Sequence, residues 1–141
     1  MDNYYDTAKR MYKSSKTLHN NSEYHNACYL AGYVVECYAK VIVGLSYGFT
    51  HNDLKEFSHN LRRLDNELQY VLAHSAYATY IVDMRTDFSS ILSGGSKWNP
   101  IKRYAEDLGE WNAIHSTNFQ NQSRIAMQKL AQMDIDGYTL I

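Results

Sequence analysis

The chain has 141 residues, 45% of them hydrophobic and 21% charged, with a formal net charge of −1. That length suits a single domain, 1–141, around one core, and the near-neutral charge excludes a bulk basic field, though not a local basic groove, for nucleic acid. One Pro and seven Gly exclude an all-β domain needing many tight turns.

In chain order, MDNYYDTAKRMYKSSK starts acidic and lacks an apolar stretch, so no leader is expected. Tyr4, Ala8, Met11, Ser15 and Leu18 recur at alternating four and three spacing, which predicts a first amphipathic helix. HNNSEY is a turn in which Asn21 or Ser22 is the expected N-cap of the second helix.

That second helix, through ACYLAGYVVECYAKVIVGL (27–45), is the most apolar segment. At 100° per residue, Ala27, Leu30, Ala31, Val34, Tyr38, Val41, Ile42 and Leu45 form one broad apolar side. The other side carries His25, Tyr29, Gly32, Tyr33, Glu36, Lys40 and Val43, which is no ordinary solvated face. Apolar character all round predicts a central helix, with its own domain on one side and something else on the other. Glu36 and Lys40 near its centre would cost roughly 2.5–3.5 kcal/mol each in a bilayer, so it is expected to be a buried helix of a soluble protein, not a membrane span.

After Gly48, Thr50 and Asp53 fit a capping box. SHNLRRLDNELQYVL (58–72) predicts a third helix with Leu61, Leu64, Leu68, Val71 and Leu72 inward and Arg62, Arg63, Asp65, Asn66 and Glu67 towards solvent. A fourth is expected from about Ala76, with Ile81, Met84, Phe88, Ile91 and Leu92 inward, ending at Gly94 and Gly95. SKWNPIKRYAEDLGEWN (96–112) reads as an irregular connection, and a fifth helix spans 113–133 with Phe119, Ala126, Leu130 and Met133 in the core. The tail DIDGYTLI either docks or frays. The whole reads as an all-α, up-and-down bundle of four to five helices.

Cys28 and Cys37 lie on one helix, about 13 Å apart along its axis, too far to bridge. A reducing, cytoplasmic setting is the simplest reading. The six His are scattered, with no zinc spacing, so no metal and no cofactor is expected. No phosphate loop of the G-x4-GK[ST] type occurs. Thiols in an apolar helix resist ionisation, which disfavours a Cys nucleophile. Glu36 and Lys40 remain, an i,i+4 pair in the favourable orientation. They serve as a structural pair, as an interface pair, or as part of a site. Tyr29, Tyr33 and Arg103 are the candidate donors to them. The 13 Tyr favour half-buried surfaces and interfaces, since each joins an apolar body to a hydroxyl.

The order of features is similar to one known family. YHNACYLAGYVVECYAKVIVG resembles the second helix of HEPN domains, SHNLRRL (58–64) the His-x-Leu-x-x-Leu opening of their next helix, and WNPIKRY (98–104) the Trp…Arg-Tyr element ahead of the last helix in one subgroup. The resemblance covers about residues 3–133 and implies a small helical bundle that often dimerises. Many relatives are metal-independent ribonucleases of toxin–antitoxin, abortive-infection or CRISPR-associated systems, while others are non-catalytic partners of nucleotidyltransferase domains. The ribonucleases carry Arg, four to six residues, then His. No pair here fits: eight residues separate Arg10 from His19, eleven and ten separate Arg62 and Arg63 from His74, and eleven separate Arg103 from His115.

The expectation is therefore a non-catalytic or degenerate HEPN domain, a homodimer that binds a protein partner such as a nucleotidyltransferase, an RNA or a nucleotide, in a toxin–antitoxin or phage-defence setting. Its expected interface is Tyr29, Tyr33, Glu36 and Lys40. The alternative is a metal-independent ribonuclease with a rearranged site, its candidate catalytic residues being His59, Arg103, Glu36 and Lys40. Trp98, Arg103 and Tyr104 are expected to anchor the connection before the last helix.

Overall fold

The computed structural model describes residues 3–72, 76–93, 97–101, 111–138 and 140. The expected Arg103 and Tyr104 anchors, His74 and the Gly94-Gly95 cap lie outside them. Among the described residues the chain is all-helical, with seven α-helices and no strand.

Helix α1 (Tyr4–Asn20) starts at Asn3, whose side chain accepts from the Tyr5 N–H at 2.7 Å. Helix α2 (Tyr24–Tyr47) has Glu23 at its N-cap position with no side-chain cap, so neither Asn21 nor Ser22 serves there. Ser22 instead adopts a left-handed φ of 63° inside the turn. Gly48, at φ 68°, ends α2 in the left-handed conformation that glycine adopts without strain. Thr50 and Asp53 form the capping box, but it opens a separate short helix, α3 (His51–Lys55). Helix α4 (Leu61–Leu72) begins only after Ser58 and Asn60.

The predicted fourth helix is three pieces: a 3-10 turn at Ala78–Tyr80, α5 (Met84–Asp87) and α6 (Ser89–Leu92). Tertiary bonds explain the breaks. Buried Tyr38 donates its hydroxyl to the Tyr80 carbonyl at 2.8 Å and accepts from the Val82 N–H at 3.0 Å, holding residues 81–83 out of a helix. Asp83 caps α5, and Gln122 accepts from the Ser90 and Ile91 N–H groups at the start of α6. Helix α7 (Ala113–Ile135) carries Asn112 as its cap and buries Phe119, Ala126, Leu130 and Met133.

Helix α2 packs against α1, α4 and α7, and residues 34–44 are all buried. It is long and apolar enough, by composition, to cross a membrane, yet 78% of its apolar window is buried within the fold. Ser15 ties three helices together: its hydroxyl donates to the Ala27 carbonyl at 2.6 Å and accepts from Gln120 Nε2 at 2.6 Å. The tail docks, with Leu140 against Gly44, Tyr138 against Tyr77 and Tyr80, and the Tyr80 hydroxyl donating to Asp136.

Candidate functional site

Gly32, Glu36 and Lys40 recur every four residues and so share one stripe of α2. The chain itself covers this stripe, which corrects the expectation that something else does. Trp98 lies over Gly32: a Cβ there would stand 2.1 Å from the ring atoms Cδ1 and Nε1, so the stacking requires glycine. The Trp98 indole donates to the Tyr29 carbonyl at 2.9 Å and its backbone N–H to the Ile91 carbonyl at 2.8 Å. Tyr33 meets Trp98, His59 and Tyr29 edge to face, with centroids 5.0–5.2 Å apart, a favourable aromatic geometry. The Tyr29 and Tyr33 hydroxyls are hydrogen-bonded at 2.9 Å.

Glu36 and Lys40 are buried, at 4% and 5% exposure, with Lys40 Nζ 3.4 Å from Glu36 Oε2. The other carboxylate oxygen, Oε1, lies 2.7 Å from His59 Nδ1. His59 comes from the turn between α3 and α4, directly after Ser58 in a left-handed φ of 50°. Its side chain is 45% exposed, so the imidazole bridges a buried carboxyl and the surface. Burial raises the Glu36 carboxyl above its ordinary value, and Lys40 and then His59 pull it back only in part. Lys40 also sits 5.8 Å from the Tyr4 ring centroid. Burial pushes the Tyr4 hydroxyl up to about 12, as it does the thiol of Cys37. Both acids therefore stay protonated at neutral pH, and Cys37 is no nucleophile.

His59 stands at the lip of an open cleft of about 790 Å³. Leu61, Ile91, Leu92, Trp98 and Pro100 supply its apolar wall, and Arg62, Arg85 and Lys97 its cations. The one acid among its described lining residues, Asp65, is 4% exposed, not solvent-facing as its charge suggested. Asp65 accepts from Arg85 Nε at 3.1 Å. Arg63 is held elsewhere, donating to the Glu56 carbonyl at 3.3 Å with its guanidinium 4.6 Å from the Phe57 ring centroid.

The fold thus gathers Glu36, Lys40, His59, Tyr29, Tyr33 and Trp98, with Arg103 and Tyr104 outside the described residues. Sequence reasoning missed Arg85 and Lys97 at this cleft. It also missed the burial of Asp65, although that residue follows Leu61 by four and precedes Leu68 by three, squarely on the apolar stripe of α4. Among the described residues no group of three or more His, Cys, Asp or Glu could hold a metal ion.

A carboxylate fixed on Nδ1 selects the tautomer that leaves Nε2 as the basic nitrogen. Cations and a mainly aliphatic wall beside it can meet a phosphate and a planar group. Compared with known proteins, the chain matches no family model, no curated protein and no solved structure.

Proposed function

We propose that the chain is a HEPN-like domain that binds a single-stranded RNA segment or a nucleotide in the His59–Trp98 cleft and works as a homodimeric interaction module. The carrying observation is the cleft itself: Arg62, Arg85 and Lys97 stand around a mainly aliphatic wall, and among the described lining residues the one acid, Asp65, is paired with Arg85. Phosphates are met by cations and planar bases by apolar surface, here mainly aliphatic since Trp98 is 5% exposed, so this lining fits such a ligand despite a net charge of −1. The likeness of 24–44, 58–64 and 98–104 to HEPN elements supports the family reading. With it come a cytoplasmic, toxin–antitoxin or phage-defence setting and a nucleotidyltransferase-type protein partner. Tyr29 and Tyr33 are the part-buried residues of the expected dimer face, and Glu36 and Lys40, sealed within the chain, would support it from beneath.

The His59–Glu36 contact favours a second reading, a metal-independent ribonuclease with a rearranged site. His59 Nε2 would take the proton of a ribose 2′-OH as that oxygen attacks the adjacent phosphorus. The 5′-oxygen would leave with a proton from water and His59 would pass its own back to solvent, giving a 2′,3′-cyclic phosphate and a 5′-hydroxyl. The cleft cations would balance the charge gathering on the phosphoryl oxygens.

One experiment separates the readings: titration of fluorescein-labelled single-stranded RNA at low salt, with gel analysis of the same RNA in EDTA. Binding without cleavage is expected of the module. Cleavage lost in His59→Ala and Glu36→Gln would establish the nuclease, and no binding at all would sink both. Light scattering on a sizing column tests the dimer, which a strictly monomeric wild type would overturn.

A further inference from the structure

Asp65 and Arg85 do more than close the wall of one cleft. A second depression of about 470 Å³ adjoins the first, and the two share these two residues as their common wall. Leu68, Ile81, Val82 and Met84 supply the apolar side of this second depression, and Gln69 and Asp83 line it as well. Arg85 reaches both from α5, where Asp83 caps the helix through the Arg85 N–H itself.

The guanidinium is held in place. Buried Asp65 accepts from its Nε at 3.1 Å, and Gln69, with its carboxamide oxygen turned towards Arg85, accepts from Nε at 3.0 Å and Nη2 at 3.3 Å. Yet the Arg85 side chain is 62% exposed. A surface ion pair gains little and is easily dispensed with. A buried carboxylate is expensive to maintain, and for stability alone an apolar residue on this stripe would serve as well or better. What the arrangement does achieve is a guanidinium fixed by its inner edge between two hollows, with the remaining N–H donors of its planar fork left for an anion.

We infer that the two hollows form one elongated site for a phosphodiester-linked ligand at least two nucleosides long, with Arg85, positioned by Asp65, taking the phosphate between them. This rests on the reading of the cleft as an RNA or nucleotide site. It adds a length requirement: one nucleoside lies against Trp98 and Pro100 and the next against Ile81 and Val82, so a mononucleotide fills half of the site.

The test compares a 5′-mononucleotide, a dinucleoside monophosphate and a single-stranded hexaribonucleotide by calorimetry, on wild type, Arg85→Gln, Arg85→Lys and Asp65→Asn. On the wild type the dinucleoside and hexamer should bind at least about tenfold more tightly than the mononucleotide, the gain of one further base against an aliphatic wall. Arg85→Gln, whose carboxamide can still donate to Asp65 and whose fold is checked by circular dichroism beside Arg85→Lys, which keeps the charge, should erase most of that ratio. It should also lower the slope of log affinity against log salt for the hexamer by about 0.7, one phosphate contact on a single strand. Arg85→Lys should restore the slope but not the ratio, because an ammonium lacks the fork. Asp65→Asn, if it folds by circular dichroism, should behave as Arg85→Gln does, and the Arg85 variants decide the matter if it does not. Equal affinity for mononucleotide and dinucleoside, or an unchanged salt slope in Arg85→Gln, overturns the two-part site while leaving the cleft as a binding site. No binding of any of the three overturns both.

Discussion

At the scale of single residues, Glu36 is the group with the most at stake. It is a carboxyl at 4% exposure, and neither Lys40 at 3.4 Å nor His59 at 2.7 Å fully offsets its loss of water. Its folded-state pKa is raised above the ordinary 4.5. The folded chain therefore holds this proton more tightly than the unfolded one does. The stability so contributed is complete below the ordinary carboxyl value and is lost as pH rises through the raised one. Gln keeps the shape and removes the titration. In urea unfolding from about pH 4 to about pH 8, wild type should lose stability relative to Glu36→Gln as pH increases. A difference that stays flat, or that grows in favour of wild type, would show that Lys40 and His59 outweigh burial. The same residue links stability to chemistry, since its Oε1 lies 2.7 Å from His59 Nδ1 and, when ionised, accepts the Nδ1–H.

At the scale of elements, the clearest joint is the docking of residues 97–101 on α2 through Trp98. Gly32→Ala sets two effects against each other. Alanine favours the helix by about 1 kcal/mol, but its Cβ would lie 2.1 Å from the indole, which two hydrogen bonds hold in place. Overpacking of a fixed ring wins, for a net loss of about 1–3 kcal/mol. Urea unfolding measures the loss, and a red shift of tryptophan emission in a Trp111→Phe background reports the displaced ring. Unchanged stability with unchanged emission would mean that Trp98 is not seated there. Helices α1, α2 and α7 were legible because their periodicity is long and consistent, and the all-round apolarity of α2 announced its central place. The stretch from Ala76 to Leu92 was not legible as three pieces. Its breaks are made by Tyr38 and Gln122, 44 and about 31 positions away in sequence, bonds that no local pattern encodes. The site was half legible: spacing nominated Glu36 and Lys40, and the HEPN-like motif added His59. Arg85 follows the break that Tyr38 makes and Lys97 the docking of Trp98 on Tyr29 and Ile91, both long-range, and Asp65 was misread because its charge was weighed above its place on the stripe.

At the scale of the molecule, one helix carries the fold and several short pieces carry the cleft. Residues 34–44 of α2 are buried without interruption, and α1, α4 and α7 all pack on α2. Opening any of those amides to water requires taking the bundle apart, so they should exchange hydrogen only through global unfolding. The cleft walls differ in kind. Residues 56–60 are turns, and α5 and α6 are four-residue helices, capped by Asp83 and by Gln122 of α7. Few backbone bonds must break for these segments to open, and helices so short do not hold by themselves. Native-state hydrogen exchange read by mass spectrometry should therefore find two tiers, with α2 at the global free energy and residues 78–93 lower by at least about 2 kcal/mol. Uniform protection across both would mean that the short helices are integral to the cooperative core. Two tiers would mean that this protein keeps its cleft walls on the part of the fold that can adjust without unfolding the rest, with His59 between them on the buried carboxyl of α2.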